Sequence, residues 1–269
     1  MKKVILVTGA SSGLGLAMAN ALSVKGYQVY GTGRDITQMK NVSFTPLEMD
    51  VINDVSVNAS VRQIIAAEGQ IDVLINNAGN GIAGPLYTVP VAIAKVQFEV
   101  NFFGLVRVCS AVLPWMIKEK KGLVINIGSL AGLFGLPYQG LYSASKFAVE
   151  GYSQSLRMEL QNTGIKVSVI NPGDFKTNFT SSRVKMPFIL NNELLEKEFE
   201  AAIAIMEEDE RIGSDPVNLA GLVCKIVAQS NPSYNYSAGK FEQTIVPALK
   251  TILPESVFSK LMNGHYGIK

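Results

Sequence analysis

The chain has 269 residues, of which 48% are hydrophobic and 17% charged; that is enough apolar material for a substantial buried core and argues against a disordered polypeptide. The net charge of +2 is nearly balanced and no dense Lys/Arg run occurs, so the electrostatic footprint of a nucleic-acid binder is missing and small molecules are the expected partners. The two cysteines, Cys109 and Cys224, stand in no metal-ligand spacing, which points to two buried thiols rather than a disulfide framework or a zinc site.

Lys2-Lys3 precedes the apolar run Val4 to Val7, which is far too short for a signal peptide and reads as a first strand. Thr8-Gly9-Ala10-Ser11-Ser12-Gly13-Leu14-Gly15 follows, opening a helix over Leu14 to Val24. Glycines at such a strand-to-helix turn let backbone amides and the helix N-terminus approach a phosphate, although the spacing departs from GxGxxG and alone is weak evidence. A second strand, Gln28 to Thr32, ends in Gly33-Arg34-Asp35, and a weaker strand runs from Val42 to Met49, just before Asp50 and Val51. After a helix over Val55 to Ala67, the strand Val73 to Ile75 leads into Asn76-Asn77-Ala78-Gly79.

The spacing then predicts one long helix from Val91 to Met116. Asn101 lies within it, where an amide among apolar residues is either satisfied internally or kinks the helix to hold water. Its apolar part, Phe102 to Ile117, is interrupted by Arg107, Ser110 and Pro114, so a membrane span of about 20 apolar residues is not expected. The strand Leu123 to Ile127 carries Ser129 just past its end. The helix Tyr142 to Leu160 follows, and the strand Lys166 to Ile170 leads to Pro172-Gly173 and Thr177. The segment 174–213 breaks the rhythm, being polar and then amphipathic, with Leu195, Phe199, Ile203 and Met206 on one face; a lid over the site and a helix packed on the core both fit that pattern.

Alternating strands and helices predict one α/β domain spanning 1–269, a doubly wound, Rossmann-like parallel sheet in three α/β/α layers, with ligands beyond the strands' carboxyl ends. Tyr142 and Lys146, four apart on a helix, share a face. At about 5 Å and an effective dielectric of about 20, the ammonium is worth about 3 kcal/mol, some two pKa units, which is expected to draw the phenol toward its working range. Ser129 is placed to hold a substrate oxygen.

Taken in order, these residues make the chain resemble the short-chain dehydrogenase/reductase superfamily, in its single-domain form, over nearly its whole length. The resemblance implies a catalytic tetrad of Asn101, Ser129, Tyr142 and Lys146. In it Tyr142 is the acid in reduction, Ser129 orients the carbonyl, Asn101 holds a relay water, and Lys146 also binds the nicotinamide ribose. It implies cofactor contacts from Thr8, Gly9, Ser11, Ser12, Gly13, Leu14 and Gly15, from Asp50 and Val51 near the adenine, from Asn77, Ala78 and Gly79, and from Pro172, Gly173 and Thr177 near the carboxamide. Gly33 stands where an NAD enzyme places an acid, and Arg34 is suited to a 2′-phosphate. NADP(H) is therefore the expected cofactor, with NAD(H) as the alternative through Asp35.

A carbonyl/alcohol substrate is expected, and it is expected to be hydrophobic. The pocket is read as built from Leu130, Leu133, Phe134, Leu136, Gly173, Asp174, Phe175 and the segment to Met206, with a general likeness to hydroxysteroid and retinol dehydrogenases. The rival readings are a non-catalytic NADP(H)-binding sensor or scaffold and an epimerase or dehydratase, the latter usually carrying a larger substrate domain. The lone histidine, His265, sits in no nucleophile arrangement. No metal, a cytoplasmic location and a homodimer or homotetramer complete the expectations, the oligomer resting on the small face Ala148, Gly151, Tyr152 and Ser155.

Overall fold

The computed structural model describes residues 2–268. In chain order the elements are β1 (Val4–Val7), α1 (Gly13–Val24), β2 (Gln28–Gly33), β3 (Thr45–Glu48), α2 (Asp54–Glu68), β4 (Val73–Asn76), β5 (Ile82–Ala83) and α3 (Val91–Phe98). They continue with α4 (Gly104–Glu119), β6 (Gly122–Ile127), α5 (Gly140–Glu159), β7 (Ile165–Pro172), α6 (Phe179–Ser182), β8 (Val184–Lys185), α7 (Glu193–Arg211) and α8 (Pro216–Ala228). The last are β9 (Asn235–Ala238), α9 (Phe241–Thr244), α10 (Val246–Ile252) and α11 (Glu255–His265).

Seven strands form one sheet in the order β3-β2-β1-β4-β6-β7-β9, and every neighbouring pair is parallel. The strands are covered on both faces, which is why they read as unbroken β-branched runs. Ile5, Leu6 and Val7 are fully buried, each stabilising the fold by about 1.5–3 kcal/mol relative to exposure. One core lies between the sheet and α2, α4 and α5, with Val108, Val112, Met116 and Val149 among its members. The other lies beneath α1 and α8, around Met18, Leu22, Leu219 and Val223. The sheet order reverses between β1 and β4, leaving a crevice at their carboxyl ends.

Three expectations change. The strand anticipated from Val42 pairs only over Thr45–Glu48, because Asn41, at φ 56, holds a turn beside it. The single helix expected from Val91 is divided: a π-turn at Glu99–Phe103 separates α3 from α4. By length and composition alone the run Val91–Glu119 is apolar enough to cross a membrane; its α4 part packs into the core through Val108, Val112 and Met116. Strand β9 was not expected. Its Asn-Tyr-Ser-Ala sequence pairs on one side only, with β7, as the sheet's edge.

Segment 174–213 holds α6, β8 and α7. Strand β8 pairs with β5 in a separate two-stranded ribbon, and α7, capped by Asn192, buries Phe199, Ala202, Ile203 and Met206.

Candidate active site

At the sheet's carboxyl edge, the turn after β1 requires left-handed backbone at Gly9 (φ 66) and Gly13 (φ 55), which glycine adopts freely. A Cβ at Gly9 would stand 2.8 Å from the Ala78 Cα. The Thr8 hydroxyl accepts from the Asn77 and Ala78 amides at 2.9 and 3.0 Å, while Asn77 Nδ2 donates to the Thr8 and Gly9 carbonyls. The two turns are thereby fixed as one unit. At the start of α1, Ser12 makes no side-chain cap and no acid occupies the first turn, so its amides face the crevice uncompensated, an arrangement suited to a pyrophosphate.

Beyond β2, a Cβ at Gly33 would come within 2.5 Å of the Met39 side chain. Arg34 is exposed on the crevice wall and joins no salt bridge among those of the described residues. Asp35 turns away to cap the following helical turn, accepting from the Thr37 amide and hydroxyl and from Gln38.

Ser129 begins a short 3₁₀ turn, its hydroxyl accepting from the Ala131 amide at 3.1 Å. Its own amide donates to Asn171 Oδ1 at 2.9 Å, and Asn171 in turn donates to Glu150 at 2.6 Å. One helical turn apart on α5, Tyr142 and Lys146 face this serine. The Lys146 ammonium lies 5.7 Å from the Tyr142 ring centroid and donates to the Ile127 carbonyl at 2.8 Å. Burial pushes the Tyr142 phenol up to about 12, against a lowering by the Ser129 hydroxyl, and pulls Lys146 down to about 8. The expected lowering by the lysine is not among the influences on the phenol, which are burial, Ser129 and the Glu210, Arg183 and Asp174 charges, and the ammonium is directed at the Ile127 carbonyl.

These residues line one cavity of about 930 Å³, shared with Gly9, Ser11, Ser12, Gly13 and Leu14, with Arg34, Asp50 and Val51, with Asn77, Ala78 and Gly79, and with Pro172, Gly173 and Thr177. Three anticipated contacts are not on its wall. Thr8 braces the turns as described. Gly15 is where α1 packs on the turn, a Cβ there lying 2.1 Å from the Gly9 carbonyl. Asn101 is buried in the π-turn, accepting from the Asn80 amide at 2.9 Å and donating to the Asn80 carbonyl and to Ser145. Of the two readings open for it, internal satisfaction describes its side chain, and the π-turn supplies the distortion.

The rest of the wall was only partly foreseen. Leu130, Phe134, Leu136, Gly173, Asp174, Phe175 and Met206 line it, whereas Leu133 packs into the Leu130–Phe134–Phe258 cluster instead. On one side stand three carboxylates. Asp209 meets His265 at 2.8 Å, Glu210 pairs with the buried Arg183 and accepts from Thr180, and the Asp174 carboxylate accepts from Gln243. Burial, then Glu210 and Asp209, push Asp174 up to about 6. Val246, Leu249, Phe258, Leu261 and Met262 from α10 and α11 add an apolar lining to the same cavity, and α11 also carries the His265 that meets Asp209. Phe179 stacks tilted against Tyr142, with centroids 5.6 Å apart. The only sequence signals for this wall were helical spacings such as Val246/Leu249 and Phe258/Met262.

A family model described as short chain dehydrogenase matches residues 3–187. A 3-ketodihydrosphingosine reductase from Bacteroides thetaiotaomicron is 43% identical over 268 residues, covering 99% of each chain. Bovine retinol dehydrogenase 8 is 32% identical over 249 residues, 86% of this chain and 79% of its own length. Among solved structures, a short-chain dehydrogenase from Streptomyces avermitilis superposes with a TM-score of 0.83 at 27% identity, covering 98% of this chain and 96% of that one.

Proposed function

This chain belongs to the short-chain dehydrogenase/reductase family of oxidoreductases, and we propose that it uses NADPH to reduce a long-chain 2-amino ketone of the 3-ketodihydrosphingosine type to the secondary alcohol. The observation that carries this reading is the lining of the cavity that holds Tyr142, where carboxylates and aliphatic side chains meet. Among the described residues Asp174 makes no salt bridge, and burial, Glu210 and Asp209 hold it at about 6 against a lowering by Arg183; a substrate ammonium next to the carbonyl would relieve it. The apolar α10 and α11 side chains that line the cavity suit an aliphatic tail. The Bacteroides reductase, similar along the whole chain, supports the same substrate class.

The chain's own features fit a dinucleotide. The uncapped start of α1 and the glycine turn suit its phosphates, and Gly33, Arg34 and the diverted Asp35 favour a 2′-phosphate over a free 2′-hydroxyl. When bound, the cofactor supplies the hydride. The remaining work is the protein's: Ser129 holds the carbonyl oxygen, Tyr142, protonated at neutral pH, gives it the proton, and the Lys146 charge stabilises the phenolate left behind. Asn101 acts as a positioning residue, bracing Asn80 and, through Ser145, the turn that carries Lys146.

The protein is further read as a homodimer through α4 and α5, where Phe103 and Phe147 are each 45% exposed and Gly151 faces open space. Tyr152, expected on that face, packs instead on Phe102 of its own chain at 6.0 Å.

The test is NADPH oxidation with 3-ketodihydrosphingosine, a short-chain 2-amino ketone, and apolar ketones lacking the amine. The amino ketones should be turned over and Tyr142→Phe should abolish it. Preference for the amine-free ketones would overturn the substrate class, and dinucleotide binding without turnover of any ketone would favour a sensor.

A further inference from the structure

The helices that contribute the cavity's apolar lining carry a second apolar face that no other described residue covers. Along α9 and α10, Phe241, Ile245, Leu249 and Ile252 recur at intervals of four, four and three, so they lie on one side; they are 77%, 38%, 36% and 76% exposed. On α11, which packs against α10, Val257 and Leu261 are 44% and 56% exposed. Isolated exposed apolar residues need no account, but a contiguous stripe marks an interaction surface.

Two of these residues belong to both surfaces: Leu249 and Leu261 are exposed and also line the cavity. The stripe therefore borders the cavity at two positions that are both apolar and open to solvent. Lys240, Lys250 and Lys260 are interspersed with it, against Glu242 and Glu255, a local charge of +1. Lys250 lies over the Phe258 ring at 5.1 Å and pairs with Glu255 at 3.5 Å, so Lys260 and Lys240 carry the stripe's unpaired positive charge among the described residues. With 7 and 11 residues, α10 and α11 are too short to span a bilayer and suited to lie in its interface.

From this placement we infer that the α9–α11 stripe seats the protein on the surface of a bilayer containing anionic lipid, with the cavity mouth facing the acyl chains. A rigid protein partner packed on Leu249 and Leu261 would seal the mouth, whereas a fluid bilayer covers the stripe and leaves the mouth open to an amphiphile already dissolved in it. The lysines match anionic headgroups. The inference rests on the proposed long-chain substrate for its purpose, but not for its test.

The test is vesicle flotation of the intact protein, with phosphatidylcholine alone and with added phosphatidylglycerol, comparing wild type with Phe241→Ser/Ile252→Asp and with the control Val24→Asp, whose position on α1 is 77% exposed. Neither Phe241 nor Ile252 lines the cavity. Wild type and control should float with the anionic vesicles, and the double variant should bind about tenfold less or weaker. It should keep full activity on a soluble short-chain amino ketone while losing activity on the long-chain ketone presented in vesicles. Wild type that does not float, or a double variant that floats equally well, overturns the inference; equal binding to both vesicle types overturns the anionic preference. Light scattering that shows the double variant dissociating a complex of two copies assigns the stripe to self-association and also overturns it. Flotation as expected with no amino ketone turned over would instead refute the substrate reading and leave the docking surface standing.

Discussion

Lys146 Nζ lies 5.7 Å from the centroid of the Tyr142 ring and gives its hydrogen bond to the Ile127 carbonyl, 2.8 Å away. Lys146 is buried and Tyr142 half-buried, and desolvation pulls the ammonium down to about 8 and pushes the phenol up to about 12. At neutral pH both are protonated, the state that reduction needs. A lysine with a lowered pKa keeps its charge below that value and loses it above. The kcat/KM for reduction should therefore fall as pH rises through about 8, with the phenol still protonated there. A profile flat to pH 10, near the ordinary lysine value of about 10.4, would remove the charge of Lys146 from the mechanism.

Tyr142→Phe takes away the proton donor and keeps the ring that stacks against Phe179. Turnover should drop by about 10²–10⁴-fold, the usual contribution of a positioned acid. NADPH affinity and melting temperature should stay near wild type, and a comparable loss of cofactor binding would show that the phenol works by holding the dinucleotide.

Arg34→Gln should weaken NADPH and spare NADH. A charge-assisted contact to a phosphate contributes about 1.5–3 kcal/mol, so the NADPH dissociation constant should rise by about 10–150-fold, as read by fluorescence titration. Asp35 is held by Thr37 and Gln38, so removing the guanidinium should not by itself create an NADH site. Equal losses for the two cofactors would mean that Arg34 does not read the 2′ position.

The central strands were legible because a strand buried on both faces reads as a continuous apolar run, as Val4–Val7 does and as residues 73–75 of β4 do. Strand β9 was not, since an edge strand with half-exposed Tyr236 and Ala238 carries no such run. The ordered motif residues located the site but not the direction of each side chain. Thr8 and Asn101 belong to the motif and brace backbone instead of facing the cavity, a distinction set by hydrogen bonds between segments 21 to 69 residues apart. The same distance hid the Asp174–Gln243 contact and the α10–α11 wall. Those helices look like ordinary amphipathic surface helices until the fold brings them over the sheet edge.

The Arg183 side chain is fully buried and its partner Glu210 is 11% exposed, while Arg183 Nε and Nη1 have no partner among the described residues. Breaking such a pair from one side leaves an uncompensated charge, so Glu210→Gln should destabilise the protein by about 3–5 kcal/mol. Arg183→Met combined with Glu210→Gln should recover most of that in urea unfolding, because both desolvated charges are gone. A double variant no better than the single one would show that the pair stabilises the segment rather than merely tolerating burial.

Asp174 offers a test in which stability and recognition move oppositely. Its pKa is raised from an ordinary 3.8 to about 6, so between these values the folded state holds a proton that the unfolded state has lost. Stability therefore falls as pH rises through that window, and above pH 6 the full cost remains, about 2–3 kcal/mol at most for a shift of this size. Asp174→Asn removes the ionisation and keeps an oxygen to accept from Gln243. It should raise the melting temperature at pH 7 and change it little at pH 4, while raising KM for an amino ketone and not for an amine-free one. If stability at pH 7 is unchanged, the carboxylate is not desolvated. If the two ketones suffer equally, it positions the site rather than reading the amine.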